Sequence, residues 1–240
     1  MKKITTVLFD LDGTLIGMNQ DEFIRLYFVA ILDKLAALGY DKVKMYESLE
    51  KAIYLTKRNN GEMSNEQRFW QTFGEAVGGL SDELADALLS FYSNEFIEVL
   101  KGSCYPYPRA MEIINTAKER GLRVVLATNP LFPAVATDAR IRLGGMSPSD
   151  FEYITAYENS SYCKPNPDYF TELLAKLGLS ADECVMIGND TRDDFAAHAL
   201  GIPVFVLTEG LINNTGVDLS LYPHGEFDDL IDYIKLLNAE

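Results

Sequence analysis

Ile4-Thr5-Thr6-Val7-Leu8-Phe9-Asp10-Leu11-Asp12-Gly13-Thr14 is the stretch whose reading decides the fold. Ile4 to Phe9 is a short apolar run of the kind that forms a buried strand. It ends on Asp10 and Asp12, although acidic residues are depleted in strands. In extended chain alternate side chains share a face, so these two carboxylates can approach one small site. Gly13 then releases the backbone into a tight turn. An Asx-type turn closing a strand accounts for one aspartate, but not for the whole word Asp10-Leu11-Asp12-Gly13-Thr14.

The chain has 240 residues, enough for a large core in one domain or two. Its 48% hydrophobic and 24% charged content is that of a soluble globular protein. A net charge of -15 with no local basic cluster argues against nucleic acid or an anionic membrane as partner. Cys104, Cys163 and Cys184 are an odd set without a close pair. They fit neither a disulfide framework nor a zinc knuckle and point to a reducing compartment. Met1-Lys2-Lys3 is basic, but the apolar stretch behind it is too short for a signal peptide and is interrupted by Asp10. No segment approaches the roughly 20 apolar residues of a membrane span. A cytoplasmic protein is expected.

Beyond the first strand the chain is helical from about Gly17 to Gly102. Asn19 with Glu22 resembles a capping box, opening a helix with Phe23, Leu26, Tyr27, Ile31, Leu35 and Leu38 on it and Gly39 at its end. A second helix is expected from Val43 to about Lys57. Ser64 with Gln67 opens a third, and Ser81 a fourth that carries Leu84, Leu88, Phe91, Tyr92 and Val99. Apolar stripes at this spacing face a core, and about four helices make a bundle.

From Tyr105 strands and helices alternate. Pro108 opens a helix ending near Gly121. Strands are expected at Arg123 to Thr128, Tyr153 to Tyr157, Cys184 to Gly188 and Val204 to Leu207. Helices are expected from Asn166-Pro167 and through Asp194 to Leu200, and an amphipathic one from Phe227 to Leu237. This is an α/β pattern: a Rossmann-like parallel-sheet core, joined by the first strand, with an α-helical bundle inserted after that strand. The expected division is 1–16 with 105–240 for the core and 17–104 for the inserted bundle. Ligands of such sheets bind at the carboxyl ends of the strands.

Each strand delivers polar groups at that edge: Asp10 and Asp12, then Thr128 and Asn129, then Lys164, then Asn189-Asp190-Thr191-Arg192-Asp193-Asp194. Singly these are a helix cap, a solvated lysine and a negative first helical turn. Together they suit phosphoryl transfer. Carboxylates crowded at one edge call for a hard cation such as Mg²⁺. A lysine and a hydroxyl bind phosphate oxygens, one Asp attacks phosphorus, and a second moves a proton.

On these residues the sequence resembles the haloacid dehalogenase (HAD) superfamily, on its helical-cap branch and near its phosphoglycolate-phosphatase-like members. The superfamily's four short motifs are matched in order by Asp10-Leu11-Asp12-Gly13-Thr14, Thr128, Lys164 and Gly188 to Asp194, and the insertion falls where the family's cap falls. The resemblance implies that Asp10 is the nucleophile, forming an aspartyl-phosphate. It implies that Asp12 is the general acid and base, with its main-chain carbonyl on Mg²⁺. Thr128, with the backbone at Leu11 and Asn129, would bind the transferring phosphate, and Lys164 would hold it and balance the carboxylates. Asp190 would complete the metal site, with Asp194 a further ligand or the partner of Lys164. The fourth motif is open in register by one residue, because Asn189 and Asp193 share the spacing of Asp190 and Asp194.

The expected activity is Mg²⁺-dependent hydrolysis of a small phosphorylated metabolite by a monomer or small homo-oligomer. A phosphomutase would use the same residues, and a noncatalytic phosphate-binding protein would more readily have lost one of them. A dehalogenase would have no leaving oxygen for Asp12 to protonate. Lys57-Arg58-Asn59-Asn60-Gly61 is either a solvated loop, the commoner case, or a segment reaching a substrate's distal group. Arg25 and Arg68 are expected at the surface, and His198 and His224 have no metal-ligand neighbours.

Overall fold

The computed structural model describes residues 3–238. Met1 and Lys2 of the basic N-terminus, and Ala239 and Glu240 at the end of the expected core, lie outside the described residues. The strands are β1 (Thr6–Phe9), β2 (Ile16–Met18), β3 (Cys104–Pro106), β4 (Arg123–Leu126), β5 (Tyr153–Ile154), β6 (Cys184–Gly188), β7 (Val204–Leu207) and β8 (His224–Gly225).

Six of them form one sheet in the order β5-β4-β1-β6-β7-β8, with every pairing parallel. Thr6 sits opposite Arg123 on one side and Cys184 on the other, so β1 is central. Its neighbours arrive from later in the chain on both sides, which leaves a crevice beyond its carboxyl end. Strand alternation divides the core between two faces. Val7, Phe9, Val124, Leu126, Val185 and Ile187 pack with α6 (Ala110–Glu119) and α9 (Phe227–Leu236). Leu8, Val125, Met186 and Val206 pack with α8 (Pro167–Leu177) and a 3-10 helix at Asp194–Leu200. Both faces are covered, which is why the strands read as continuous apolar runs.

The inserted segment comprises α1 (Gln20–Ala37), α2 (Lys42–Lys57), α3 (Asn65–Val77), α4 (Asp82–Ser93) and α5 (Phe96–Ser103). Asn19 caps α1, and Ser64 and Gln67 form the reciprocal capping box of α3. The helices enclose Phe23, Tyr27, Ile31, Leu49, Phe73 and Phe91. This cluster continues into the sheet domain through Phe132, Tyr157 and Ala136 of α7 (Ala134–Leu143). Buried Asn65, at the start of α3, donates to the carbonyls of Pro130 at 3.1 Å and Tyr162 at 3.2 Å, fastening the bundle to loops of the sheet edge.

The structure corrects several sequence expectations. The fourth helix is two, α4 and α5, broken at Asn94, where φ is −123° and ψ −81° and the side-chain amide donates to the Ser90 carbonyl. Asn competes in this way for helical backbone. The strands expected at Arg123 to Thr128 and Tyr153 to Tyr157 end earlier, at Leu126 and Ile154. Beyond those points the backbone turns to form the site, and Thr155 donates to the Thr128 carbonyl. The segment from Asp194 to Leu200 is a 3-10 helix. An unexpected antiparallel ribbon pairs Ile16–Met18 with Cys104–Pro106, joining the two places where the chain enters and leaves the bundle. The expected division at 16/17 and 104/105 falls within this ribbon.

Candidate active site

Asp10 follows β1 directly, its N–H bonded to the Ile187 carbonyl of β6. The chain then turns so tightly that Thr14, Leu15 and Ile16 all donate to the Leu11 carbonyl. Gly13 adopts φ +89°, and a Cβ there would stand 2.2 Å from the Asn189 amide nitrogen, so only glycine fits. Asn189 locks the turn from the other side. It accepts from the Thr14 hydroxyl at 2.9 Å and donates to the Gly210 carbonyl at 2.6 Å.

Lys164 is 1% exposed and reaches the same edge. Its Nζ donates to Asp10 Oδ1 at 3.0 Å and to Asp194 Oδ1 at 2.7 Å. Burial alone would depress this ammonium, but the charges of Asp10 and Asp194 outweigh it and hold the lysine protonated above its usual range. Burial raises the Asp194 carboxyl, against the pull of Lys164. Asp194 Oδ2 also accepts from the Asp190 N–H at 3.0 Å.

Asp12 sits beside them on the same edge, and its partner was not legible in the sequence. Arg140 of α7, 1% exposed, donates its Nη1 to Asp12 Oδ2 and its Nη2 to the Thr137 hydroxyl, with its guanidinium over the Phe132 ring. Burial pushes the Asp12 carboxyl up while Arg140 pulls it down, and the net direction is up. Asp12 Oδ1 is buried with no hydrogen-bond partner among the described residues.

Thr128 is 2% exposed and lines the crevice, while its carbonyl is held by Thr155 and the Tyr169 hydroxyl. Asn129 donates to the Lys164 carbonyl at 3.2 Å and to Asp193 Oδ2 at 3.0 Å. The backbone N–H groups of Leu11 and Asn129 have no acceptor among the described residues. In the fourth motif Asn189 is engaged with Thr14 and Gly210, and Asp190 Oδ1 accepts from the N–H groups of Arg192 and Asp193. Burial raises the Asp193 carboxyl, with Asp190 adding to the effect and Lys57 opposing it.

Asp10, Asp12, Thr128, Asn129, Lys164, Asp190 and Asp194 thus all line one cavity of about 550 Å³ at the carboxyl edge, under α1 and α2. Among the described residues no three acidic, imidazole or thiol side chains form a ready-made metal cage. Mg²⁺ does not require one, since it commonly takes one or two carboxylates and completes its shell with water and phosphate. The all-oxygen donors here, with the Asp12 carbonyl beside them, fit that ion.

Other expectations resolve simply. Lys57 lines the cavity, whereas Asn59 of the same segment is buried and donates to the Met63 carbonyl and to Asn65. Arg25 pairs with Glu22 at the surface, and Arg68 donates to Asn59 and Asn60. His198 packs against Tyr222. No helix among the described residues is long and apolar enough to cross a membrane.

A family model of haloacid dehalogenase-like hydrolases matches residues 4–201. A phosphoglycolate phosphatase of Caulobacter vibrioides is 25% identical over 221 residues, covering 90% of this chain and 86% of its own. A glyceraldehyde 3-phosphate phosphatase of Methanocaldococcus jannaschii is 27% identical over 242 residues, covering 99% and 100%. The crystal structure of a HAD phosphatase from Thermococcus onnurineus aligns with a TM-score of 0.57 at 21% identity over 99% of each chain, a likeness of fold.

Proposed function

The chain belongs to the haloacid dehalogenase-like hydrolase family, and we propose that within it this protein is a Mg²⁺-dependent phosphatase of small-molecule phosphomonoesters. The observation that carries the proposal is the cluster around Asp10. One carboxylate oxygen is fixed by Lys164, while Oδ2 has only a 3.5 Å contact from the Thr14 hydroxyl, and unengaged N–H groups of Leu11 and Asn129 lie on the same edge.

In the reaction we assign, Asp10 Oδ2 attacks phosphorus and the bond from phosphorus to the ester oxygen breaks, giving an aspartyl-phosphate and an alcohol. Lys164, Thr128 and the N–H groups of Leu11 and Asn129 bind the phosphoryl oxygens as charge moves onto them. Asp12 Oδ1, the oxygen without a partner, passes a proton to the departing alkoxide. The same carboxylate then takes a proton from water, whose oxygen attacks phosphorus and releases phosphate, regenerating Asp10. Asp10, the Asp12 carbonyl and Asp190 would hold Mg²⁺, which when bound would neutralise the phosphate charge beside the carboxylates. Asp194, engaged by Lys164 and the Asp190 amide, supports that set by fixing the lysine and the loop.

We assign residues 17–104 as a cap over the edge, and 1–16 with 105–240 as the core. The cavity lies between α1, α2 and the strand ends, a size suited to a small phosphorylated metabolite rather than a macromolecule. Three free buried cysteines fit a cytoplasmic setting. The test is phosphate release from p-nitrophenyl phosphate with Mg²⁺. Turnover that is lost in Asp10→Asn and in EDTA is expected. No release by the wild-type protein, or equal release by Asp10→Asn, overturns the proposal.

A further inference from the structure

The cavity is densely charged at its inner end and largely apolar towards its outer wall. Its outer wall is built by α1 and α2, and α2 carries two different apolar stripes. Met45, Leu49 and Ala52 are buried within the bundle, as an amphipathic helix requires. A second stripe, Tyr46, Ile53 and Tyr54, faces the cavity, with Ile24 and Phe28 of α1 and Phe132 beyond them. Ile24 and Tyr54 are each 53% exposed and Tyr46 39%, so large apolar side chains stand open in the crevice where a bundle surface is ordinarily polar.

The charges in the cavity sharpen this. Six carboxylates and three cations line it. Lys164 is engaged by Asp10 and Asp194, and Arg140 by Asp12. Only Lys57 remains without an ion pair among the described residues lining the cavity, and its charge bears on Asp193. On the outer wall itself the titratable acid is Glu50, which accepts from the Tyr46 hydroxyl. The wall thus carries one acid and one cation, and the rest of its surface is mostly rings and aliphatic side chains.

Building on the phosphatase reading, we propose that the substrate is a phosphomonoester whose alcohol bears an aromatic or branched apolar body. Transfer of such a body from water to the rings of Tyr46, Tyr54 and Phe28 supplies binding, while the phosphate is taken by the inner end. Compounds such as phosphoglycolate and pyrophosphate lack the apolar body.

The experiment compares kcat/KM with Mg²⁺ for acetyl phosphate, benzyl phosphate, phosphoglycolate and pyrophosphate. Benzyl phosphate is expected to exceed phosphoglycolate and pyrophosphate by about tenfold or more. In the double variant Ile24→Ala/Tyr54→Ala, the ratio of kcat/KM for benzyl phosphate to that for acetyl phosphate is expected to fall about tenfold, chiefly through KM for the benzyl ester. Both positions are half exposed, so the fold is retained. No phosphate release from any compound would defeat the phosphatase reading itself. Release that favours phosphoglycolate or pyrophosphate defeats the present proposal alone. An unchanged selectivity ratio in the double variant, with a changed oligomeric mass, assigns the face to contact between copies and also overturns it.

Discussion

Arg140 and Asp12 form a nearly closed ion pair at the mouth of the strand crevice, although 128 positions separate them in the chain. The guanidinium is fixed on three sides, by the Ala136 carbonyl, the Thr137 hydroxyl and the Phe132 ring. It therefore holds one oxygen of Asp12, while the other is buried with no hydrogen-bond partner among the described residues. The pair sets both the direction of this carboxyl and its affinity for a proton.

Replacing Arg140 with Met removes the main group that lowers the Asp12 carboxyl and leaves burial, which raises it, opposed only by the weaker pull of Lys164. The acid limb of the kcat profile is expected to move to higher pH, because the base form needed for hydrolysis of the aspartyl-phosphate then appears later. Breaking a buried pair also costs about 3–5 kcal/mol of stability. Steady-state rates from pH 5 to 9, below the variant's melting temperature, check this; an unmoved limb contradicts it.

Lys164→Met leaves Asp10 and Asp194 buried at 9% and 1% exposure without their shared cation. Stability is expected to fall by about 3–5 kcal/mol, a drop in Tm on the order of 10 °C for a chain of this size. Added Mg²⁺ should recover part of it. A melting curve equal to the wild type would show that the lysine is not balancing the cluster.

The metal-free protein should lose stability as pH rises through the neutral range. Burial raises the carboxyls of Asp12, Asp193 and Asp194, so the folded state binds protons that the unfolded chain releases near its ordinary value of 3.8. Their contribution is present at low pH and is lost as pH climbs through the raised folded range. Surface acids such as Asp150 and Glu152 are shifted downward by Lys118 and Arg123, and act only below the ordinary carboxylate range. In EDTA, Tm should therefore fall from pH 5.5 to 8, and Mg²⁺ should flatten the slope. A Tm that rises over that interval in EDTA counts against the cluster as described.

All three thiols are expected to be silent in the native protein. Burial pushes Cys104 up to about 11 and Cys163 and Cys184 up to about 12, and the thiolate is the reactive form. Titration with a chromogenic disulfide at pH 8 should give almost no reaction until denaturant is added, and then all three. Rapid labelling of a native thiol would show local opening at that position.

Asp190→Asn is expected to weaken Mg²⁺ binding at least about tenfold, and Asp193→Asn much less, since Asp193 is held by the Asn129 amide. Calorimetric titration of the metal decides between the two registers of the motif. A larger loss in Asp193→Asn would move the metal ligand by one position.

Much of this site was legible because strand ends are local events. Asp10, Thr128, Lys164 and Asp190 each follow a recognisable apolar run or precede a helix cap, so the order of elements brings them to one edge. The cap signals of Asn19, Ser64 and Ser81 were local in the same way. Arg140 was not legible. Its helix interleaves Val135, Ile141 and Leu143 with Thr137, Asp138 and Arg142, a pattern without one clean apolar stripe, and nothing in the neighbouring sequence marks an arginine that will be buried. The second stripe of α2 was equally hidden, because apolar residues at helical spacing read as core whether they meet another helix or an open crevice.

The sequence by itself determined the alternation of strands and helices, the insertion after the first strand, and the carboxylates, hydroxyl and lysine that face one another, since each depends on short-range pattern and on the geometry common to parallel sheets. The tertiary structure decided which charges pair, which oxygen of Asp12 stays unengaged, and which apolar faces remain uncovered. Those outcomes depend on contacts between residues far apart in the chain, 128 positions for Arg140 and Asp12 and 154 for Lys164 and Asp10, where desolvation and charge pairing act through space and leave no trace in the local spacing of the chain.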